Sequence, residues 1–448
     1  MRTTLRARCL FPVGGDPIPD GTVSMEGERI VACGAGVPPA GCLAGGTPAP
    51  QEIRDLGNVA ILPGLVNAHV HLDFSDLPAP LGHRGIGFAD WIRCVMAFRQ
   101  QPARAERQPA ARGLAESLRG GVTALGNIVQ PGEPLIASPI DVTALLELIA
   151  PTADRVAAAL QLAKAHLVGQ TFWSAAGWCG SCTAAPETGW QYNCHPNVVC
   201  PAARTVGLSP HAPYSVHPDL LAAVVELSQR HKIPVAMHLA ESPEELELLR
   251  HGGGPLRALL EELGAWEATA IPREARPLDY LRRLARAERA LVVHGNFLDD
   301  EEISLLGATA DRMSVVYCPR THDWFAHRDY PLEKLLAAGA TVALGTDGRG
   351  SSPDLSLLGE MRCAAQKHPG VPLAAILRMA TIAAARALGR ETEIGSLAAG
   401  KRADLAIVAL PDRSADDPHE LLFDPAASVV ACYCRGAEAY RSGNAAIS

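Results

Sequence analysis

Short apolar runs recur through the middle of this chain, and most of them end on a residue that can bind a metal or move a proton. The runs fall near 61–72, 121–128, 142–149, 205–211, 233–238, 290–294, 314–318 and 341–347. Helix-like stretches separate several of them, among them Pro218–His231, Pro243–Arg250 and Pro331–Ala338. Strands alternating with helices predict βα units and a parallel sheet. Polar residues gathered at the C-terminal ends of such strands predict the catalytic face of a (β/α)8 TIM barrel, so the fold class is α/β.

The two ends of the chain read differently. Gly21–Ala32 and the stretches 395–410 and 428–434 are short and alternating, with Gly and Pro breaks, as β-hairpins are. Neither end can bury a face alone, so 1–60 and 388–448 are expected to form one composite β-sandwich, with the barrel over 61–387. The connection between the third and fourth strands is long. It holds a helix over about 153–168 and then a Cys-rich insertion over about 171–204.

Composition narrows the partners. A net charge of −8 and no basic run argue against nucleic acid. The basic N-terminus lacks the apolar core of a signal peptide, and no apolar segment is long enough for a bilayer. A cytoplasmic protein acting on a small molecule is the expectation, with a homodimer as its assembly. Cys9, Cys33, Cys42, Cys94, Cys318 and Cys363 are scattered, as buried thiols in a reducing compartment are.

The chemistry centres on His69 and His71. On a strand, residues i and i+2 project from one face, so both imidazoles aim at one point. His211, His238 with Glu241, His294 and Asp347 follow in order at later strand ends. A catalytic zinc takes imidazoles and carboxylates and keeps a position for water; His69, His71, His238 and Asp347 supply three nitrogens and one oxygen. One divalent metal is expected, zinc first, with iron or manganese as alternatives; it brings the pKa of water towards 7. Glu241, three residues past His238, is placed for proton transfer. His294 is placed to polarise the electrophilic carbon or to hold the attacking oxygen, and Asp347 both to bind the metal and to take the proton of the water.

This order of His-x-His, His, His-x-x-Glu, His-Gly and Gly-Thr-Asp, with Pro63-Gly64 ahead of it, resembles the amidohydrolase superfamily over nearly the whole chain. The resemblance implies that His69, His71, His238 and Asp347 bind one metal, that Glu241 and His294 are the acid-base pair, and that His211 contacts substrate. The fourth strand ends in His211 and has no lysine nearby, unlike the binuclear members. The mononuclear deaminase and chlorohydrolase branch is the better match, with S-adenosylhomocysteine/methylthioadenosine deaminases and aminodeoxyfutalosine deaminases among its groups. Hydrolytic deamination of an adenine-type nucleoside is then the expected reaction. The alternatives are a guanine-type base, a triazine-like amino- or chlorohydrolase substrate, or a non-catalytic binding protein of the same fold.

The chain departs from that branch in Cys318-Pro-Arg-Thr-His322, followed by His327, and in Gly348-Arg-Gly-Ser-Ser-Pro-Asp354. Arg320 and Arg349 in these segments are expected to clamp a substrate carboxylate or phosphate. A second cluster, Cys179, Cys182, Cys194 and Cys200, opens with the Cys-x2-Cys spacing of a structural zinc knuckle; free loop thiols are the alternative.

Overall fold

The computed structural model describes residues 2–36, 51–101, 108–133, 136–175 and 205–443. One parallel sheet contains β1 (Leu65–Val70), β2 (Val122–Val129), β3 (Asp141–Leu148), β4 (Thr205–Pro210), β5 (Pro234–Leu239), β6 (Arg289–His294), β7 (Met313–Tyr317) and β8 (Thr341–Leu344). Each strand pairs in parallel with the next in chain order. A parallel bridge from Val70 to Asp347 brings the first strand back to the last, which closes the barrel. Seven of the eight runs expected to be barrel strands are so, and the first is so only in part.

These strands are buried on both faces, which suits their near-continuous Val, Leu and Ala content. Ala124, Ile128, Leu145, Ala236, Leu291, Val316 and Ala343 make a small, branched cluster with Ala384 and Ala385 of the helix Ile382–Ala387 and with Leu388 just past it. That layer leaves the opposite, C-terminal end of the barrel for polar residues.

The first expected strand needs correction. Residues 61–72 are not one element: Val59–Pro63 pairs antiparallel with Leu405–Ala409, and only Leu65–Val70 enters the barrel. Gly64 makes the break because Thr123 presses against it; a Cβ there would stand 2.0 Å from the Thr123 hydroxyl oxygen. The expected helix over 153–168 also runs further, to Ala175, so the first residues of the expected irregular insertion are helical. The rest of that insertion, with Cys179, Cys182, Cys194 and Cys200, lies outside the described residues.

Both ends of the chain do combine. A six-stranded sheet runs Ala437–Arg441, Ser428–Cys434, Leu405–Ala409, Val59–Pro63, Cys9–Leu10 and Ile18–Pro19. A four-stranded sheet joins Arg29–Ala35, Gly21–Glu26, Arg2–Arg6 and Gln51–Asp55. Leu5, Leu10, Val23, Ile30, Ile61, Leu405 and Ile407 share one core between them. Arg402 fixes this unit to the barrel: buried, it bonds Asp404 beside it and Asp141 at the start of β3. Arg390 holds the same Asp141 carboxylate at 2.8 Å. A buried charge needs such partners, which gives the Gly-Lys-Arg-Ala-Asp404 turn its physical reason.

Candidate metal and acid-base site

Four ring systems and one carboxylate meet above the barrel core. His69 lies in β1 and His71 one residue past it, with ring centroids 4.9 Å apart. His238 comes from β5, His294 ends β6, and Asp347 lies just beyond β8. His71 Nε2 and His238 Nε2 are 3.3 Å apart, while Asp347 Oδ1 is 3.3 Å from His69 Nε2 and 3.8 Å from His71 Nε2. The ligand atoms of His69, His71 and Asp347, and those of His69, His238 and His294, lie within 4.8 Å of one another in each set.

The electrostatics of this group suit a cation. Burial, reinforced by His69, holds His71 at a pKa of about 3, and burial with the surrounding imidazoles holds His238 well below the ordinary range. Both rings are therefore neutral at pH 7, with lone pairs to donate. Burial alone would raise Asp347, but the imidazoles of His69, His294 and His71 around it outweigh that and hold the carboxyl well below the ordinary carboxylate range. His69 is fully buried, and both its ring nitrogens lack a hydrogen-bond partner. Neutral imidazole nitrogens crowded against a carboxylate oxygen are the donor set that a zinc-type ion takes.

The surrounding residues aim these donors. The His238 Nδ1–H bonds the His211 carbonyl at 3.0 Å, leaving Nε2 for the centre. Asp347 Oδ2 accepts from Ser351 Oγ at 2.5 Å and from Thr321 Oγ1 at 3.2 Å, so Oδ1 faces the histidines. Asn67 Nδ2 donates to Thr346 Oγ1 at 2.8 Å, and the backbone N–H groups of Thr346 and His69 approach Asn67 Oδ1 at 3.2 and 3.3 Å. Asn67, Thr321 and Ser351 carry no signal of their own in the sequence, although Thr321 and Ser351 sit in the two segments that depart from the family pattern.

Beside the ligand group stands the pair expected to move protons. His294 Nε2 is 3.3 Å from Glu241 Oε1, and both side chains are buried. Burial, with the Asp347 and Glu245 charges nearby, raises Glu241 well above the usual carboxylate range, whereas burial lowers His294 to about 3. Burial thus favours the protonated form of the Glu241 carboxyl and the neutral form of the His294 imidazole. The backbone of Glu241 is fixed: its N–H bonds Glu245 at 2.9 Å and its carbonyl accepts from Asn296 at 2.8 Å. Ala240, His294 and Asp347 all have φ between 52° and 70°, a left-handed backbone that non-glycine residues rarely adopt outside functional sites.

A cavity of about 400 Å3 opens onto this group. His71, His211, His238, Glu241 and Asp347 line it on one side, and Phe74, Phe88, Trp91, Leu256, Leu259 and Leu260 form an apolar wall on another. Glu147, which the sequence did not mark, also lines it. His211 also lies on the lining, its Nδ1 2.6 Å from Ser215 Oγ. His322 and His327 do not line the cavity.

Arg320 and Arg349, expected as substrate clamps, must be corrected. Neither lines the cavity, and both guanidinium groups are occupied by the protein. Arg320 bonds Glu360 at 2.6 Å and Asp354 at 2.8 Å, while Arg349 holds Glu116 at 2.9 Å and 3.0 Å. Proximity to a strand end did not tell which way those side chains turn. Among the described residues, the cations on the cavity lining are Arg99, above the Phe74 ring, and Arg155.

Among the described residues no helix is long and apolar enough to cross a membrane. The model of the Amidohydrolase family matches residues 60–438. A 5-methylthioadenosine/S-adenosylhomocysteine deaminase of Symbiobacterium thermophilum is 30% identical over 433 residues, covering 93% of this chain and 86% of that protein. Helicobacter pylori aminofutalosine deaminase in complex with methylthio-coformycin superposes with a TM-score of 0.75 at 21% identity, over 98% of this chain and 100% of that one. Atrazine chlorohydrolase from Arthrobacter aurescens complexed with zinc gives a TM-score of 0.71 at 20% identity, over 97% and 94%.

Proposed function

Because this chain belongs to the amidohydrolase family, we propose that it is a metal-dependent hydrolytic deaminase that releases ammonia from an adenine-type nucleoside. The observation that carries this reading is the buried pair of Glu241 and His294, 3.3 Å apart beside the imidazole group. Deamination needs a proton delivered to a ring nitrogen while an oxygen nucleophile attacks the amino-bearing carbon. A carboxyl whose protonated form is favoured by burial, next to a neutral imidazole, is matched to that task.

His69, His71, His238 and Asp347 would hold the ion, and zinc suits so nitrogen-rich a set. When bound, such an ion makes hydroxide available at neutral pH by lowering the pKa of water to about 7. The protein supplies the rest. Glu241 donates to the ring nitrogen, His294 orients the attacking oxygen through Nε2, and His211, on the cavity lining beside His238, contacts the ring edge. Ser351 and Thr321 keep Asp347 turned inward. The apolar wall covers the reacting atoms and strengthens each of these interactions by excluding water. The names of the deaminase relatives support the same substrate class.

The test is a substrate panel on zinc-loaded protein, following ammonia release and the ultraviolet change from adenine to hypoxanthine. Adenosine, methylthioadenosine, S-adenosylhomocysteine and aminodeoxyfutalosine are run beside guanine and cytosine. Turnover of an adenine nucleoside supports the reading. Turnover confined to guanine or cytosine overturns the adenine assignment.

A further inference from the structure

We infer that Glu147 binds a hydroxyl of the substrate's sugar through Oε1, an inference that rests on the adenine-nucleoside reading. The cavity then selects nucleosides that carry this hydroxyl over their deoxy counterparts. Glu147 sits near the C-terminal end of β3, its side chain 2% exposed, yet it lines the cavity. A buried polar atom needs a partner, and a wall so rich in aromatic and aliphatic carbon supplies few.

The two oxygens are not equivalent. Oε2 accepts from Gln130 Nε2 at 2.6 Å and is the oxygen that approaches the Arg99 guanidinium, at 3.7 Å. Oε1 faces His211 Nε2 at 3.9 Å, beyond hydrogen-bond distance. Among the described residues no donor bonds Oε1. The bond to Gln130 therefore accounts for one half of the carboxyl group. The other half is an acceptor left over between two residues of the cavity lining.

Its place around the barrel decides which part of the substrate it meets. Glu147 is on β3, His211 just past β4 and His238 on β5, three neighbouring strands. The His211 and His238 rings have centroids 5.0 Å apart, and Glu241 follows His238 by three residues. An adenine ring that presents its amino-bearing edge to Glu241 and His294, with His211 at its side, has its sugar on the β3 side. There a hydroxyl that donates to Oε1 satisfies a buried oxygen, and a nucleoside without it forfeits the bond. Sites built to bond a hydroxyl reject the analogue lacking it far more strongly than apolar pockets reject a missing methylene.

The experiment uses the zinc-loaded parent, Glu147→Gln and Glu147→Asp. It measures kcat/KM for the adenine nucleoside that the panel above turns over best, and for its 2′-deoxy and 3′-deoxy forms. The parent is expected to prefer the full nucleoside over at least one deoxy form by about ten- to a hundredfold. In Glu147→Gln the amide gives its oxygen to Gln130 and puts its NH2 where Oε1 stood, so the preference narrows to within about threefold. Glu147→Asp keeps the carboxylate but draws it back by one methylene and narrows the same preference; it stands in where Glu147→Gln does not fold. A fold that is merely weakened lowers both nucleosides together and leaves their ratio unchanged. A parent that turns over all three forms alike, or a preference that survives undiminished in a folded variant, overturns this inference alone. A parent that deaminates no adenine nucleoside overturns the reading beneath it and this inference too.

Discussion

The Nε2 atoms of His71 and His238 stand 3.3 Å apart, though the two rings come from opposite sides of the barrel, at the ends of β1 and β5. With its Nδ1–H on the His211 carbonyl, His238 offers its Nε2 lone pair, and the His71 Nε2–H can donate to it. The residues around them set the expectations that follow.

Glu241→Gln keeps the shape of the side chain and withdraws its proton. Ammonia release is expected to fall by about a hundredfold to ten-thousandfold, with metal content unchanged by elemental analysis. Activity near that of the parent would remove Glu241 from the chemistry.

Ser351→Ala and Thr321→Val each leave Asp347 Oδ2 with one hydroxyl fewer. Groups that orient a ligand contribute about ten- to a hundredfold in metal affinity, so competition with a chelator should show a loss of that size. The two together should lose more than either alone.

Asn67→Ala removes the amide that bonds Thr346 from the first strand to the last. Leaving buried donors without partners costs about 1–3 kcal/mol each, so the urea midpoint should fall accordingly with the slope unchanged.

His322 gives a pH dependence of stability. It is 3% exposed, neither ring nitrogen has a hydrogen bond, and burial together with His327 and Lys367 lowers its pKa to about 3. The folded chain thus binds the proton later than the unfolded one, whose histidine titrates near 6.5. Stability from this residue is complete above the unfolded value and drains away as pH falls towards the folded one. Between pH 7 and pH 5 the parent should lose about 2 kcal/mol more than His322→Leu, measured by urea unfolding at both values.

The strands were legible because each is an apolar run bounded by polar residues, and parallel strands buried on both faces have to read that way. The metal and acid-base candidates could be picked out because each sits within a few residues of the C-terminal end of its run. Side-chain direction was not. Arg320 and Arg349 occupy positions much like that of Asp347, and only packing turns them onto Glu360 and Glu116. Glu147 was hidden for the opposite reason: inside Ala144-Leu-Leu-Glu-Leu148 it looks like one polar residue in an apolar strand. Gly64 shows the limit for boundaries, since the collision with Thr123 that splits the strand involves a residue far along the chain.

The meeting of Val70 with Asp347 also governs when the protein can first be loaded. Asn67 and Thr346, which flank the histidine and carboxylate donors, are 279 residues apart. At ribosomal rates of about 5–20 residues per second, His69 emerges many seconds before Asp347 does. During that interval the nascent chain offers imidazoles without the carboxylate that completes the set. The ion's high-affinity seat therefore exists only once the last strand has been released, and loading becomes a late event in the life of the chain.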